Sequence, residues 1–133
     1  MKTAKAMSLL FALAAIYDGV LGLRFLVAPN WPFDRFEVTP PNHVGYVQFP
    51  AALLLIFGIM FLAIARNPVA NRQLIIYGIL LKVAYCAVAG GHWMSTDIPV
   101  IWQPCVVIDL VRGILFVWAY VSLGQRSYDP AVN

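Results

Sequence analysis

Residues 6–28, AMSLLFALAAIYDGVLGLRFLVA, decide how the whole chain is read. As a helix this run is longer than a bilayer's hydrocarbon core, which is about 30 Å thick and takes roughly 20 residues to cross. Led by Lys2 and Lys5, its first half also has the pattern of a signal peptide. A signal peptide's apolar region, however, is only about 7–15 residues long. This run continues to Ala28 and is closed by Pro29, which does not continue a helix comfortably. It is therefore read as an uncleaved transmembrane span; its removal would leave three spans and reverse the fit to the loop charges described below.

Three further apolar runs follow, at residues 46–65, 73–89 and 101–123. Together the four consume most of the 133 residues, which are 62% hydrophobic and 11% charged, so no soluble domain fits beside them. The expected fold is all-α: a polytopic membrane protein with a single four-transmembrane-helix bundle over residues 1–133. The segment PNWPFDRFEVTPPNH (29–43) reads as a loop, because its four prolines oppose regular helix while Trp31, Phe33 and Phe36 suit a membrane interface. Pro50 falls either in the first turn of the second span or at a kink. In the turn RNPVANR (66–72), Asn67 is placed to cap a helix with Pro68 at its first position. The third span is expected to stop at Gly90 and Gly91, before the short loop HWMSTDIP (92–99). Pro104 falls in the opening turn of the fourth span, and the polar tail GQRSYDPAVN (124–133) reads as frayed.

The basic residues set orientation. Lys2, Lys5, Arg66, Arg72 and Arg126 fall on one side of the four spans, and Arg35 alone among basic residues in the opposite loops. Positive residues collect in the cytoplasm, so both termini are expected there. Trp31, Trp93 and Trp102 then belong to the outer interface, and Trp118 and Tyr120 to the inner one. The net charge of +3 is scattered beside the spans as orientation signals, a pattern that argues against nucleic acid.

Five charges lie within the spans: Asp18, Arg24, Lys82, Asp109 and Arg112. Each costs about 2.5–3.5 kcal/mol at the centre of an inserted helix, so each needs a partner or a polar cavity. By helical rise, Asp18, Lys82 and Arg112 fall at similar depth, roughly 13–17 Å from the inner boundary. Asp109 lies one turn further out on the Arg112 face, and Cys105 continues that face. Arg24 and Gln48 stand higher, as a second layer toward the outer rim. Tyr85 and Cys86 share a side of the third span with Lys82, and Tyr17 adjoins Asp18.

Two readings of these charges stand side by side. In one, Asp18 with Lys82 and Asp109 with Arg112 or Arg24 are ion pairs that only fix helix register. In the other, some act on a ligand or a proton, since a buried pair barely offsets its own desolvation and apolar residues often replace it without loss. Three bases against two acids leave one formal positive charge, which fits a quinone, an anionic lipid or a small carboxylate.

Other sites are weaker. His43 and His92 lie in outer loops without a ligand spacing, and no metal site is expected. Cys86 and Cys105 come out at depths about 7 Å apart, which disfavours a disulfide. No nucleophile elbow, phosphate loop or other autonomous catalytic motif is present.

YDGVLGLRFLVAP (17–29) and FPAALLLIFGIMFLAIA (49–65) resemble segments of small bacterial four-helix membrane proteins of the DoxX-like group. The likeness covers the architecture and about half of the chain. Some members of that group are associated with quinone-linked sulfur oxidation, so the resemblance implies the fold and is compatible with a quinone, without implying a reaction. Small multidrug transporters also have four helices and an acid in the first, but this chain has Asp instead of Glu, a long first loop and a strong charge bias. The vitamin K epoxide reductase and DsbB families carry paired cysteines that are missing here.

The leading expectation is a protein that binds a small lipophilic or anionic ligand, with Asp18, Lys82, Asp109 and Arg112 as the polar site, Tyr17 and Tyr85 tuning it, and Arg24 and Gln48 above. The alternatives are a noncatalytic accessory subunit of a larger membrane complex or homo-oligomer, and a small proton-coupled transporter.

Overall fold

A computed structural model describes residues 2–126, with side chains as far as Gln125. Five helices follow in order: α1 (Lys2–Val27), α2 (Trp31–Phe36), α3 (Gly45–Arg66), α4 (Arg72–Ser95) and α5 (Gln103–Arg126). No strand occurs among the described residues. All but α2 are long and apolar enough to cross a membrane, so the chain is an all-α, multi-pass membrane protein.

The described residues fall into two compact units, one up to Asn67 and one from Pro68 onward. The first is an antiparallel pairing of α1 with α3, and the second pairs α4 with α5. Glycine sets the spacing in the first: a Cβ at Gly22 would stand 2.6 Å from the Ala51 carbonyl oxygen and 2.8 Å from the Leu55 nitrogen. One turn toward the other end, a Cβ at Gly58 would stand 3.0 Å from Gly19 Cα. Backbones approach this closely in membranes because lipid offers no hydrophobic drive, which leaves van der Waals packing between small residues to hold helices together. Phe11 and Phe61 continue the seam, with ring centroids 6.0 Å apart.

The faces of α1 are sorted by size and not by hydrophobicity. Leu9, Leu13, Ile16, Val20, Leu23 and Val27 are exposed at helical spacing, whereas the buried stripe is Met7, Phe11, Ala14, Asp18, Gly22 and Phe25. Branched aliphatics are at home against acyl chains, so the inner stripe is free to hold glycine and a charge.

In the second hairpin, Arg72 on the first turn of α4 reaches the last turns of α5. Its Nε donates to the Tyr120 carbonyl at 3.0 Å, and its guanidinium lies 3.9 Å from the centre of the Tyr120 ring. A Cβ at Gly124 would fall 2.5 Å from an Arg72 Nη, so a larger residue there would make the flexible end of Arg72 shift.

Several local expectations are corrected. Residues 31–36 form a helix within the expected loop, because Pro32 sits in its first turn, where a missing N–H costs nothing, and Glu37 ends it in the left-handed region at φ 53°. Pro50 lies inside α3, beyond the first turn, and the helix continues through it. Asn67 terminates α3, and α4 begins later, at Arg72, after a turn that contains Pro68. The third span does not stop at Gly90 and Gly91 but runs on to Ser95. Where water is scarce the backbone has no better partner than its own helix, which makes glycine a weak stop signal. The Ser95 hydroxyl donates to the Gly91 carbonyl at 2.9 Å and the Thr96 hydroxyl to that of His92 at 3.2 Å. The fourth span begins at Gln103 instead of residue 101, with Pro104 in its opening turn as expected. The frayed tail was read over residues that, from 127 onward, lie outside those described.

Candidate ligand site

The second hairpin brings three of the span charges together. One oxygen of Asp109, Oδ1, accepts from Lys82 Nζ at 3.0 Å and from Arg112 Nη1 at 3.1 Å. Lys82 reaches across from α4, while Arg112 comes from the next turn of α5 itself. The approach depends on Gly113, where a Cβ would stand 3.3 Å from Lys82 Cβ. A larger residue there would press on the lysine at its root.

The cluster has an aromatic floor and a thiol rim. Arg112 lies 5.8 Å from the centre of the Phe116 ring, one turn away on the same face, a contact already implied by the i, i+4 spacing. The Cys86 thiol donates to the Val106 carbonyl at 3.7 Å, and that of Cys105 to the Ile101 carbonyl at the same distance, so both cysteines are free. Tyr85 is half-buried and within electrostatic reach of Cys105, Asp109 and Cys86. Among the described residues no group of histidine, cysteine and acidic side chains has the geometry to hold a metal ion.

The first hairpin holds the remaining candidates. Asp18 is 1% exposed on the inner stripe of α1, and Tyr17 beside it is half-buried. Arg24 and Gln48 are engaged where α1 ends and α3 begins. Gln48 Nε2 donates to the Leu26 carbonyl at 3.2 Å, which satisfies a terminal carbonyl of α1. Arg24 is exposed, its guanidinium 4.4 Å from the centre of the Trp31 ring. Its pairing with Trp31 was not foreseen, although an arginine at a span end followed by an interfacial tryptophan is a usable signal.

Burial therefore sorts the five span charges. The buried charged side chains among the described residues are Asp18, Lys82, Asp109 and Arg112, two of each sign. The excess positive charge counted from sequence belongs to Arg24, outside the core. No protein family, curated protein or solved structure matches this chain.

Proposed function

We propose that the chain binds a small lipophilic molecule within the membrane, its polar head on the Lys82–Asp109–Arg112 cluster. The observation that carries this reading is the convergence of two buried cations on a single carboxylate oxygen. An ion pair that only fixed helix register would need one cation, whereas two donors beside an aromatic ring and a tyrosine form a head-group cradle. The cluster itself sets two cations against one carboxylate, and this surplus of donors suits a head rich in hydrogen-bond acceptors, such as a quinone or a small anionic group. The DoxX-like likeness in architecture agrees with that ligand class. A second reading is a noncatalytic subunit of a membrane complex, in which the buried charges only fix helix register.

The two readings part in one variant. Lys82→Met with Asp18→Leu removes one buried cation and one buried anion and leaves the Arg112–Asp109 pair at 3.1 Å. Native mass spectrometry in mild detergent is expected to show quinone or lipid retained by the wild-type chain and lost from the folded double variant. Unchanged retention, stability and cellular phenotype would sink the ligand reading. A companion protein in the same spectrum would support the subunit reading.

The reading puts both termini and the 66–72 turn on the cytoplasmic side, on the bias of the loop charges, and the membrane as a bacterial inner one, on the DoxX-like resemblance. An impermeant thiol reagent applied to intact cells should label Glu37→Cys and spare Asn67→Cys. The reverse pattern would invert the assigned orientation.

A further inference from the structure

The outer end of the first hairpin carries an exposed ladder of alternating chemistry. The Arg24 guanidinium lies 4.4 Å from the centre of the Trp31 ring, Trp31 meets Phe36 edge-on with centroids 6.3 Å apart, and the Arg35 guanidinium lies 5.7 Å from the centre of the Phe36 ring. Beneath it, Pro32 and Phe33 are buried, so α2 is anchored with Trp31 and Phe36 turned outward. The ladder joins the last turn of α1, a helix long and apolar enough to cross a membrane, to α2.

From this we infer that the ladder is a docking site for the phosphate of a glycerophospholipid in the adjoining leaflet, held chiefly by Arg24. A guanidinium that interacts with a ring through its face keeps its N–H donors at its edge, where they form a rigid fork suited to two phosphate oxygens. Neither guanidinium has an ion pair or hydrogen bond among the described residues, although Asp34 and Glu37 stand on or beside the same short helix. Two forks without acceptors in a membrane interface meet phosphate as the abundant partner. Trp31 and Phe36 are exposed aromatic rings, of the kind that gathers at membrane interfaces near a lipid's glycerol region. The headgroup thus closes a site whose other wall is α2, and the site is independent of the Lys82 cluster.

Titration of the full chain in uncharged detergent with phosphatidylglycerol, read by native mass spectrometry, tests the assignment. The variant Arg24→Gln with Arg35→Gln should bind about tenfold or more weakly, the scale of losing one charged hydrogen bond. Both side chains are exposed, so helix content should be unchanged. Arg24→Lys, which keeps charge and loses the fork, should fall between. Diacylglycerol with the same chains should bind no better to wild type than to the variant, and excess inorganic phosphate should not displace the phospholipid. Equal affinity of variant and wild type for phosphatidylglycerol, equal binding of diacylglycerol and phospholipid, or full displacement by inorganic phosphate would each overturn the lipid assignment.

Discussion

Asp109→Leu is expected to destabilise the second hairpin by about 3–5 kcal/mol, the cost of leaving buried cations without their carboxylate. Lys82 is 2% exposed, and it shares Asp109 Oδ1 with Arg112, so one substitution removes the counter-charge of both. Both cations have other contacts in the chain, which holds the loss nearer the lower figure. The measurement is unfolding in mixed micelles of increasing denaturing-detergent fraction, with Asp34→Leu as a control. Asp34 is exposed on α2, and its replacement should leave the transition in place. High salt should not change the Asp109 result, because a buried pair is poorly screened. A loss below about 1 kcal/mol, the range of exposed pairs, would mean that the cluster is solvated and would withdraw its role as a dry cradle.

The spans were legible because a bilayer imposes one strict requirement, about 20 apolar residues for each crossing, and four runs met it. Their ends were less so. Gly90 and Gly91 have the chemistry of a stop in water, but α4 passes through them because a membrane helix has no competing partner for its backbone. Pro32 opposes a helix interior and equally favours a helix start, and composition alone does not distinguish the two. Helical rise puts Asp18, Lys82 and Arg112 at one level with Asp109 a turn further out; within the second hairpin Lys82, Asp109 and Arg112 do meet, while Asp18 belongs to the first. Azimuth could not be read. On a helix apolar all round, hydrophobicity does not mark the inner face, so Arg24 read as a second layer of the site when it stands exposed against Trp31. The useful signal on α1 was size, with Ala14 and Gly22 on the stripe that holds Asp18 and branched aliphatics opposite.

That sorting by size leads to a sharp contrast between two glycines one turn apart. Gly22→Ala is expected to destabilise the first hairpin by about 1–3 kcal/mol, the usual cost of overpacking, because its Cβ would stand 2.6 Å from the Ala51 carbonyl oxygen and 2.8 Å from the Leu55 nitrogen. Both are backbone atoms of α3, so relief requires the helices to separate and lose packing along the whole seam, Phe11 against Phe61 included. Gly19→Ala adds the same methyl with nothing within 4 Å of it, beside an open groove of about 300 Å³ lined by Ala12, Ala15 and Leu55. It should be neutral or stabilising, since alanine is favoured over glycine in a helix by about 1 kcal/mol. The pair of variants, measured by the same detergent unfolding, separates helix propensity from interhelical contact because propensity changes equally in both. If Gly22→Ala proved as stable as Gly19→Ala, the close approach of α1 to α3 at Ala51 would be refuted, and with it the register that places Asp18 on the buried stripe.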